Sequence, residues 1–285
     1  GEYKLMGLAP YGSPLYSNLI LDHLIALKED GTFRLDQRYF DYCTGLHMTN
    51  NEFDRLFGAP PRKPSELLEQ RHMDLAASIQ AVTEEIVIRL TRSLANEGRT
   101  KNLCLAGGVA LNCVANGKIV RDGAFENIWI QPAAGDAGGA LGAALTAYYG
   151  HLRQPRKPSG GKDMMQGGYL GPSFDQADIE TRLRNCGAVF GVLEDKQVIE
   201  ETVVALTEEK AVGWFQGRME FGPRALGGRS ILGDPRSPRM QSSLNLKVKY
   251  RESFRPFAPS VLREDLCDWF ELDEDSPYML LVANV

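Results

Sequence analysis

Cysteine is scarce in this 285-residue sequence, and the positions of the cysteines exclude two kinds of structure. The five cysteines form no CxxC pair and show no metal-ligand spacing, so neither a disulfide framework nor a zinc site is indicated. They predict reduced, buried thiols in a cytoplasmic protein. The histidines also form no cluster; they are His23, His47, His72 and His151.

Long hydrophobic runs and a net positive charge are missing as well. The longest apolar stretches fall far short of the length that crosses a bilayer, so no membrane partner is predicted. The formal charge of −5 and the pI of about 5.5 argue against nucleic-acid binding, which needs extended basic surfaces. The apolar content of 43% is that of a globular protein, and 285 residues suffice for two domains.

Hydrophobic periodicity gives the clearest structural prediction. Apolar residues recur every three or four positions from Leu75 to Leu94 and predict one amphipathic helix that ends before Gly98. Short apolar runs at 102–106 and 128–130 predict buried strands, each followed by a glycine-containing turn and a helix, at 109–120 and 140–149. This alternation favours a parallel α/β sheet. The opening residues 1–12 are predicted to form a loop.

A proline- and glycine-rich stretch at 151–168 is typical of a linker and places a domain boundary near residue 165. It contains Pro155, Pro158, Ser159, Gly160 and Gly161. Beyond it, a capping box of Ser173 and Gln176 predicts a helix that ends near Gly187. Strands are predicted at 189–193 and 211–215, with a helix at 196–209 between them.

Two basic stretches stand out in this acidic chain. The first basic stretch (217–230) reads GRMEFGPRALGGRS, and the second basic stretch (245–259) reads NLKVKYRESFRPFAP. From Arg218 to Arg255 there are nine Lys/Arg against three Asp/Glu. Such a surplus indicates a phosphate or carboxylate ligand, although a solvated basic face is the alternative. Glu220 is predicted to pair with Arg218 or Arg224 rather than to act as a general base.

Two glycine-containing segments follow the predicted strands. In the glycine loop (105–112, LAGGVALN), Gly107 and Gly108 would let backbone amides approach an anion. A tight strand-to-helix turn explains the same residues, and both interpretations stay open. In the aspartate loop (131–139, QPAAGDAGG), Asp136 is placed to reach a metal ion or phosphate-bound water. A helix N-cap is the somewhat favoured alternative.

Taken in order, these motifs resemble the O-carbamoyltransferases of nodulation-factor and antibiotic biosynthesis. The matching stretches are KLMGLAPYG (4–12), AGGVALN (106–112), GDAGG (135–139), FGPRALG (221–227) and KYRESFRPFA (249–258). The resemblance covers essentially the whole chain. It implies an α/β fold in two parts. Residues 1–165 would be the C-terminal half of an actin-like ATPase domain (RNase H-like, related to the threonylcarbamoyltransferases), and residues 166–285 part of a YrdC-like domain.

The resemblance implies that carbamoyl phosphate and ATP form carbamoyl-adenylate in the second part. The carbamoyl group then passes in the first part to a hydroxyl of a sugar or antibiotic-like acceptor, with a divalent metal, iron being the expected ion. Arg224, Lys249 and Arg255 match the positions expected to hold the phosphates. Lys4, Gly107, Gly108 and Asn112 would contact ATP, and Asp136 would bind the metal.

The sequence departs from the family pattern at its ends. The family's metal-binding histidines precede the position that matches Gly1, and its HVDGTAR and NTSFN stretches follow the position that matches Val285. The resemblance therefore implies a fragment that is inactive or severely impaired alone. Two alternatives remain: a small-molecule kinase of the actin-like class, or a non-catalytic nucleotide-binding protein. The sequence leaves open the acceptor, the oligomeric state and the contributions of Arg218, Arg229 and Lys247.

Overall fold

The computed structural model describes residues 2–157, 160–161, 163–272 and 275–285. They form two compact units. Unit 1 consists of Gly1–Leu103 and Val114–Ile128, and unit 2 consists of Cys104–Cys113 and Trp129–Val285. The domain boundary predicted near residue 165 lies inside unit 2, and it stays a prediction. Of the predicted linker, Pro158, Ser159 and Lys162 lie outside the described residues.

Unit 1 is built on one long helix. Its first four α-helices are α1 (Glu2–Leu8), α2 (Ser17–His23), α3 (Asn51–Phe57) and α4 (Gln70–Asn96), and an antiparallel hairpin pairs β1 (Ile25–Leu27) with β2 (Phe33–Leu35). The predicted loop at 1–12 is wrong, because most of it forms α1, which packs against α4. Tertiary packing on α4 outweighs the turn signal of the glycines and proline.

The apolar stripe of α4 confirms the predicted helix and forms the core of unit 1. Val82, 2% exposed, packs with Ile20, Leu24, Ile25 and Phe57. Gly98 follows the helix with φ +65°, the left-handed conformation that favours glycine at this position. The prediction of where this helix ends is therefore confirmed.

The middle of the chain contains β3 (Asn102–Leu105) and β4 (Asn127–Ile130), which pair with each other and confirm both predicted strands. The helix predicted at 109–120 is interrupted: a 3₁₀ turn at Gly108–Leu111 precedes α5 (Cys113–Asp122), because Asn112 leaves the helical region at ψ +89°. The described strands form only two-stranded sheets. An extended parallel sheet is therefore not found in this part of the chain.

Unit 2 contains the remaining α-helices and strands, which are α6 (Asp136–Leu145), α7 (Gln176–Asn185), α8 (Asp195–Thr207), β5 (Val212–Phe215), β6 (Arg229–Leu232), α9 (Met240–Ser243) and α10 (Leu266–Trp269). β5 and β6 pair antiparallel. The strand predicted at 189–193 is wrong, since these residues are irregular and mostly exposed. Asp175, not Ser173, caps α7, because its carboxylate accepts a hydrogen bond from Asp178 N.

The predicted thiol state is confirmed and the predicted thiol burial is wrong. All five cysteines are free, but four are exposed and Cys113 is half-buried. The short strand β3 leaves one face open, so Cys104 is exposed while its neighbour Leu103 is buried. No helix in the described ranges is long and apolar enough to cross a membrane.

Candidate functional site

The glycine loop is held by the aspartate loop in unit 2. Gly107 N donates to Ala134 O over 2.9 Å, and Gln131 N donates to Leu105 O over 3.0 Å. A Cβ at Gly107 or Gly108 would meet no atom within 4 Å, so the loop faces open space. The Gly108 and Val109 amides begin the 3₁₀ turn and donate to no other described residue. These two N–H groups are available to an anionic ligand.

The aspartate loop is closed by a tight turn. A Cβ on Gly138 would lie 2.1 Å from Ala133 O, so only glycine fits there. Asp136 is the first residue of α6 and is exposed, and Gly135 occupies the N-cap position without a side-chain cap. The N-cap interpretation of Asp136 is therefore wrong. Its carboxylate has no hydrogen-bond or ion-pair partner in the described part of the chain.

Arg224 joins the first basic stretch to the glycine loop. Its Nη2 donates to Leu111 O over 2.9 Å, and its side chain is half-buried. Two residues earlier, Gly222 has φ +118°, and a Cβ there would lie 3.5 Å from Pro132 O. The first basic stretch thus lies against both loops, and Arg224 contacts the Gly107–Asn112 segment directly.

Glu220 fixes the backbone of the first basic stretch. Its side chain is 0% exposed. The carboxylate accepts hydrogen bonds from Leu226 N at 2.9 Å, Gly228 N at 2.7 Å and Arg229 Nε at 3.1 Å. The predicted pairing with Arg218 or Arg224 is wrong. Arg218 instead donates from Nε to Gly171 O over 3.0 Å.

Three cations of the second basic stretch are coupled electrostatically. Arg251 and Arg255 act on Lys249, and Arg255 acts on Arg251. The buried amide of Asn245 contacts two of these residues: Nδ2 donates to Arg255 O over 2.8 Å, and Oδ1 accepts from Arg251 Nε at 2.6 Å. The Arg251 guanidinium also lies 4.8 Å from the centroid of the Phe257 ring, a cation–π distance.

The electrostatics of this group disfavour its full positive charge. Partial burial lowers the pKa of Lys249, and the neighbouring Arg251 and Arg255 lower it further. Burial and Arg255 likewise lower the pKa of Arg251, although Glu252 opposes that effect. A bound anion would reverse both shifts, because it stabilises the protonated forms.

The predicted site residues fall into three places. Lys4 lies on α1 in unit 1 and is exposed. In unit 2, Arg224 contacts the glycine loop, and Arg255 is one of the charges that lower the pKa of Lys249. The predicted set omits Glu220 and Asn245 as supporting residues. The sequence gives little indication of these two residues, because the residue type alone does not reveal whether a polar side chain is buried or solvated.

A separate polar cavity lies in unit 1. Its volume is about 450 Å³, and it is lined by Asp41, His47, Thr49, Asn50, Asn51 and Glu52. None of the predicted site residues lines it. In the described ranges, no group of three or more His, Cys, Asp or Glu side chains is arranged to hold a metal ion.

Comparison with known proteins places these motifs in a family. An uncharacterized protein of Synechocystis sp. is 61% identical over 290 residues, covering 100% of this chain and 46% of that protein. Nodulation protein NolNO of Sinorhizobium fredii is 39% identical over 289 residues, covering 100% and 40%. Nodulation protein NolO of Bradyrhizobium diazoefficiens is 38% identical over 288 residues, covering 100% and 50%. The chain spans about half the length of these relatives or less.

Two family models divide the chain between them. The model described as carbamoyltransferase N-terminus matches residues 1–145, and the model described as carbamoyltransferase C-terminus matches residues 203–285. The first contains Lys4, the glycine loop and Asp136, and the second contains both basic stretches. The resemblance drawn from the motifs is confirmed: this chain belongs to the carbamoyltransferase family.

Proposed function

We propose that this chain contributes the phosphate-binding surfaces of an O-carbamoyltransferase. Carbamoyl phosphate and ATP are converted to carbamoyl-adenylate, and the carbamoyl group is then transferred to a hydroxylated acceptor. Arg224, Lys249 and Arg255 hold the phosphates and stabilise charge on the departing phosphate. Membership of the carbamoyltransferase family supports a carbamoyl donor and an acceptor as substrates.

The observation that carries this proposal is the electrostatic coupling among Lys249, Arg251 and Arg255. Burial and the neighbouring Arg251 and Arg255 lower the pKa of Lys249, so its positive charge is unfavourable in the free protein. Carbamoyl phosphate is a small dianion, and its oxygens match the forked donors of arginine. Binding of carbamoyl phosphate reduces the repulsion between the cations, and this reduction contributes to its affinity.

The glycine loop fits the phosphates of ATP. The Gly108 and Val109 amides, which donate to no other described residue, can donate to phosphate oxygens. Because Gly107 and Gly108 have no side chains, a phosphate can approach the loop backbone closely. Arg224, held at Leu111 O, brings a guanidinium to the same loop. Asn112 and Lys4 remain proposed ATP contacts on the strength of the family pattern alone.

The divalent metal stays a proposal that the described residues do not complete. Asp136 offers one unpaired carboxylate, but no group of three or more possible ligands surrounds it within the described ranges. A metal centre needs several such ligands. No step of the reaction is therefore assigned to the metal.

The finer fold assignment is also part of this proposal. We assign residues 1–165 to an actin-like ATPase part and residues 166–285 to a YrdC-like part. The two matched stretches, 1–145 and 203–285, lie on opposite sides of that boundary, which supports the assignment.

The proposed reaction has a defined balance. Carbamoyl phosphate, ATP and one water give carbamoyl-adenylate, phosphate and pyrophosphate. The acceptor oxygen then bonds to the carbamoyl carbon, AMP leaves, and the acceptor proton is released. Pyrophosphate and AMP therefore distinguish this chemistry from that of a kinase, which yields ADP.

Calorimetric titration of the 285-residue chain with carbamoyl phosphate tests the proposal. We expect saturable binding that weakens by about 1.5–3 kcal/mol in Arg255→Ala, as for other charge-assisted hydrogen bonds. Arg263→Ala is the matched control, because that exposed arginine pairs with Asp275 and lies outside both basic stretches. Equal loss in both variants would refute a specific site.

A second titration, with ATP, separates the alternatives. Binding of ATP without binding of carbamoyl phosphate would indicate a nucleotide-binding protein and contradict the proposal. Formation of ADP rather than pyrophosphate when both ligands and an acceptor are present would indicate the kinase chemistry instead.

A further inference from the structure

The first basic stretch contains an ion pair that the proposed chemistry does not use. Glu220 and Arg229 lie on either side of the FGPRALG motif, and neither is among the predicted ligand-binding residues. The Glu220 carboxylate is fully buried, while the Arg229 side chain is 33% exposed. Their Oε2 and Nε atoms are 3.1 Å apart.

The pair holds both sides of the turn that carries Arg224. On one side, Arg229 Nη2 donates to Gly222 O over 2.5 Å and to Arg224 O over 2.8 Å. On the other side, Glu220 Oε1 accepts the amides of Leu226 and Gly228. Four backbone groups are therefore fixed by two side chains.

The turn needs such support because its backbone is unusual. Gly222 has φ +118° and Gly227 has φ +110°, conformations that other residues rarely adopt and that no regular helix or strand stabilises. Arg224 lies between these two glycines. The ion pair gives the peptide groups on both sides of Arg224 a common anchor.

The Glu220–Arg229 pair is expected to fix the geometry of the turn more than to increase the free energy of unfolding. Burying a carboxylate costs several kcal/mol, and a buried ion pair recovers this only with good geometry and additional hydrogen bonds. Glu220 has both, yet an apolar pair of similar volume would often be as stable. What an apolar pair cannot supply is the four hydrogen bonds to the turn.

We propose that Glu220 and Arg229 are positioning residues that hold the Arg224 guanidinium at the glycine loop. They act through Arg224 and do not touch the anionic ligand. This role rests on the proposed function of Arg224. It adds that anion binding by Arg224 depends on Glu220 and Arg229, which family membership does not specify.

A double-mutant cycle tests the positioning role with carbamoyl phosphate as the titrant. We expect Arg229→Ala and Arg224→Ala each to weaken binding about tenfold. Combining the two should weaken it no further, since Arg229 acts through Arg224. Arg229→Lys should not restore binding, because one ammonium cannot reach Glu220 and both carbonyl oxygens. Arg236→Ala, which breaks the Arg236–Asp234 pair in the same unit, is the control and should bind normally.

Hydrogen exchange provides a readout that does not depend on the ligand. The Leu226 and Gly228 amides should exchange at least tenfold faster in Glu220→Ala. The rate should be partly restored in Glu220→Gln, whose oxygen can still accept. If Glu220→Ala does not fold, Glu220→Gln alone should still show intermediate exchange rates for these two amides.

The outcomes separate the two proposals. Normal binding in Arg224→Ala would refute the proposed ligand role of Arg224. Loss of binding in Arg224→Ala with normal binding in Arg229→Ala would refute only the positioning role. Losses that multiply in the double variant would also refute it, because the two residues would then act independently.

Discussion

Arg224 donates a hydrogen bond from Nη2 to the carbonyl oxygen of Leu111, a residue 113 positions earlier in the chain. This contact connects a motif matched by the C-terminal family model to a loop matched by the N-terminal one. The two motifs therefore contribute to one surface in unit 2.

Gly138→Ala should destabilise the aspartate loop. Its Cβ would lie 2.1 Å from Ala133 O, a backbone atom that cannot move without displacing the turn. We expect a loss of about 1–3 kcal/mol in the free energy of unfolding, measured by urea denaturation. Gly139→Ala is the matched control, because a Cβ there meets nothing within 4 Å. It should be neutral or stabilising by up to about 1 kcal/mol, and a similar loss in both variants would contradict the model of the turn.

Asn245→Ala should loosen the second basic stretch. The buried amide donates to Ser253 O and Arg255 O and accepts from Arg251 Nε. Its removal leaves these groups without their partner, at an expected cost of about 1–3 kcal/mol in unfolding free energy. Asn245→Asp keeps the oxygen that accepts from Arg251 and loses the N–H groups that donate to Ser253 O and Arg255 O. Its effect should therefore separate the accepted hydrogen bond from the donated ones. Denaturation and carbamoyl phosphate titration of both variants provide the measurements.

Lys249 should make anion binding sensitive to alkaline pH. Its pKa lies below the ordinary 10.5, because of burial and the neighbouring Arg251 and Arg255. The binding-competent ammonium is present at neutral pH and is lost as the pH rises through this lowered pKa. Carbamoyl phosphate affinity should therefore fall at a lower pH than for an isolated lysine.

Calorimetry of Lys249→Met over the same pH range checks this assignment. The variant should bind more weakly, with a flatter alkaline response, while its stability stays the same or rises slightly because a repelled charge is removed. Lys247→Met removes an equal charge from the same stretch as a control. Matching losses in the two variants would indicate a general charge effect and contradict a specific role for Lys249.

Tyr278 should contribute stability that disappears at high pH. Burial, followed by its hydrogen bond to Asp163, raises the pKa of Tyr278 from 10.0 to about 12. The folded state retains this phenolic proton after the unfolded state has lost it. The contribution is therefore complete below pH 10 and declines as the pH rises from about 10 to about 12.

Tyr278→Phe isolates that contribution. We expect a loss of about 1 kcal/mol in unfolding free energy at neutral pH, from the missing hydrogen bonds to Asp163 and Gly167. The difference in unfolding free energy between Tyr278→Phe and the unmodified protein should become smaller above pH 10. Tyr250→Phe is the control, since that ring is 86% exposed, and it should track the unmodified protein throughout. A constant difference for Tyr278→Phe would contradict the assignment.

Local sequence pattern predicted some elements well and others poorly. The stripe of α4 and the left-handed Gly98 that follows it depend on neighbouring residues, so the sequence contains the relevant information. The same holds for β5, which the apolar run at 211–215 predicted to within one residue. The helix at the start of the chain was missed because it is held by packing against α4, a partner more than sixty residues away.

The candidate site shows the same division. Glycine pairs and clustered arginines identified the loops, because those residue types have special backbone or charge properties. The partner of Glu220 was misassigned, since three arginines lie within nine residues of it and only the folded turn selects Arg229. The roles of Asp136, Lys4 and Asn112 stay predictions, as does the domain boundary near residue 165.

The long helix α4 has a consequence for how the chain emerges from the ribosome. Residues 12–16 are attached to it: Ser13 N bonds to Asp74 Oδ1, Tyr16 N bonds to Ser78 Oγ, and Gly12 lies directly against Met73. The three helices before α4 have seven residues each, too few to persist alone in water. The segment that contains α1, α2 and α3 should therefore acquire its packing only once α4 itself has been synthesised.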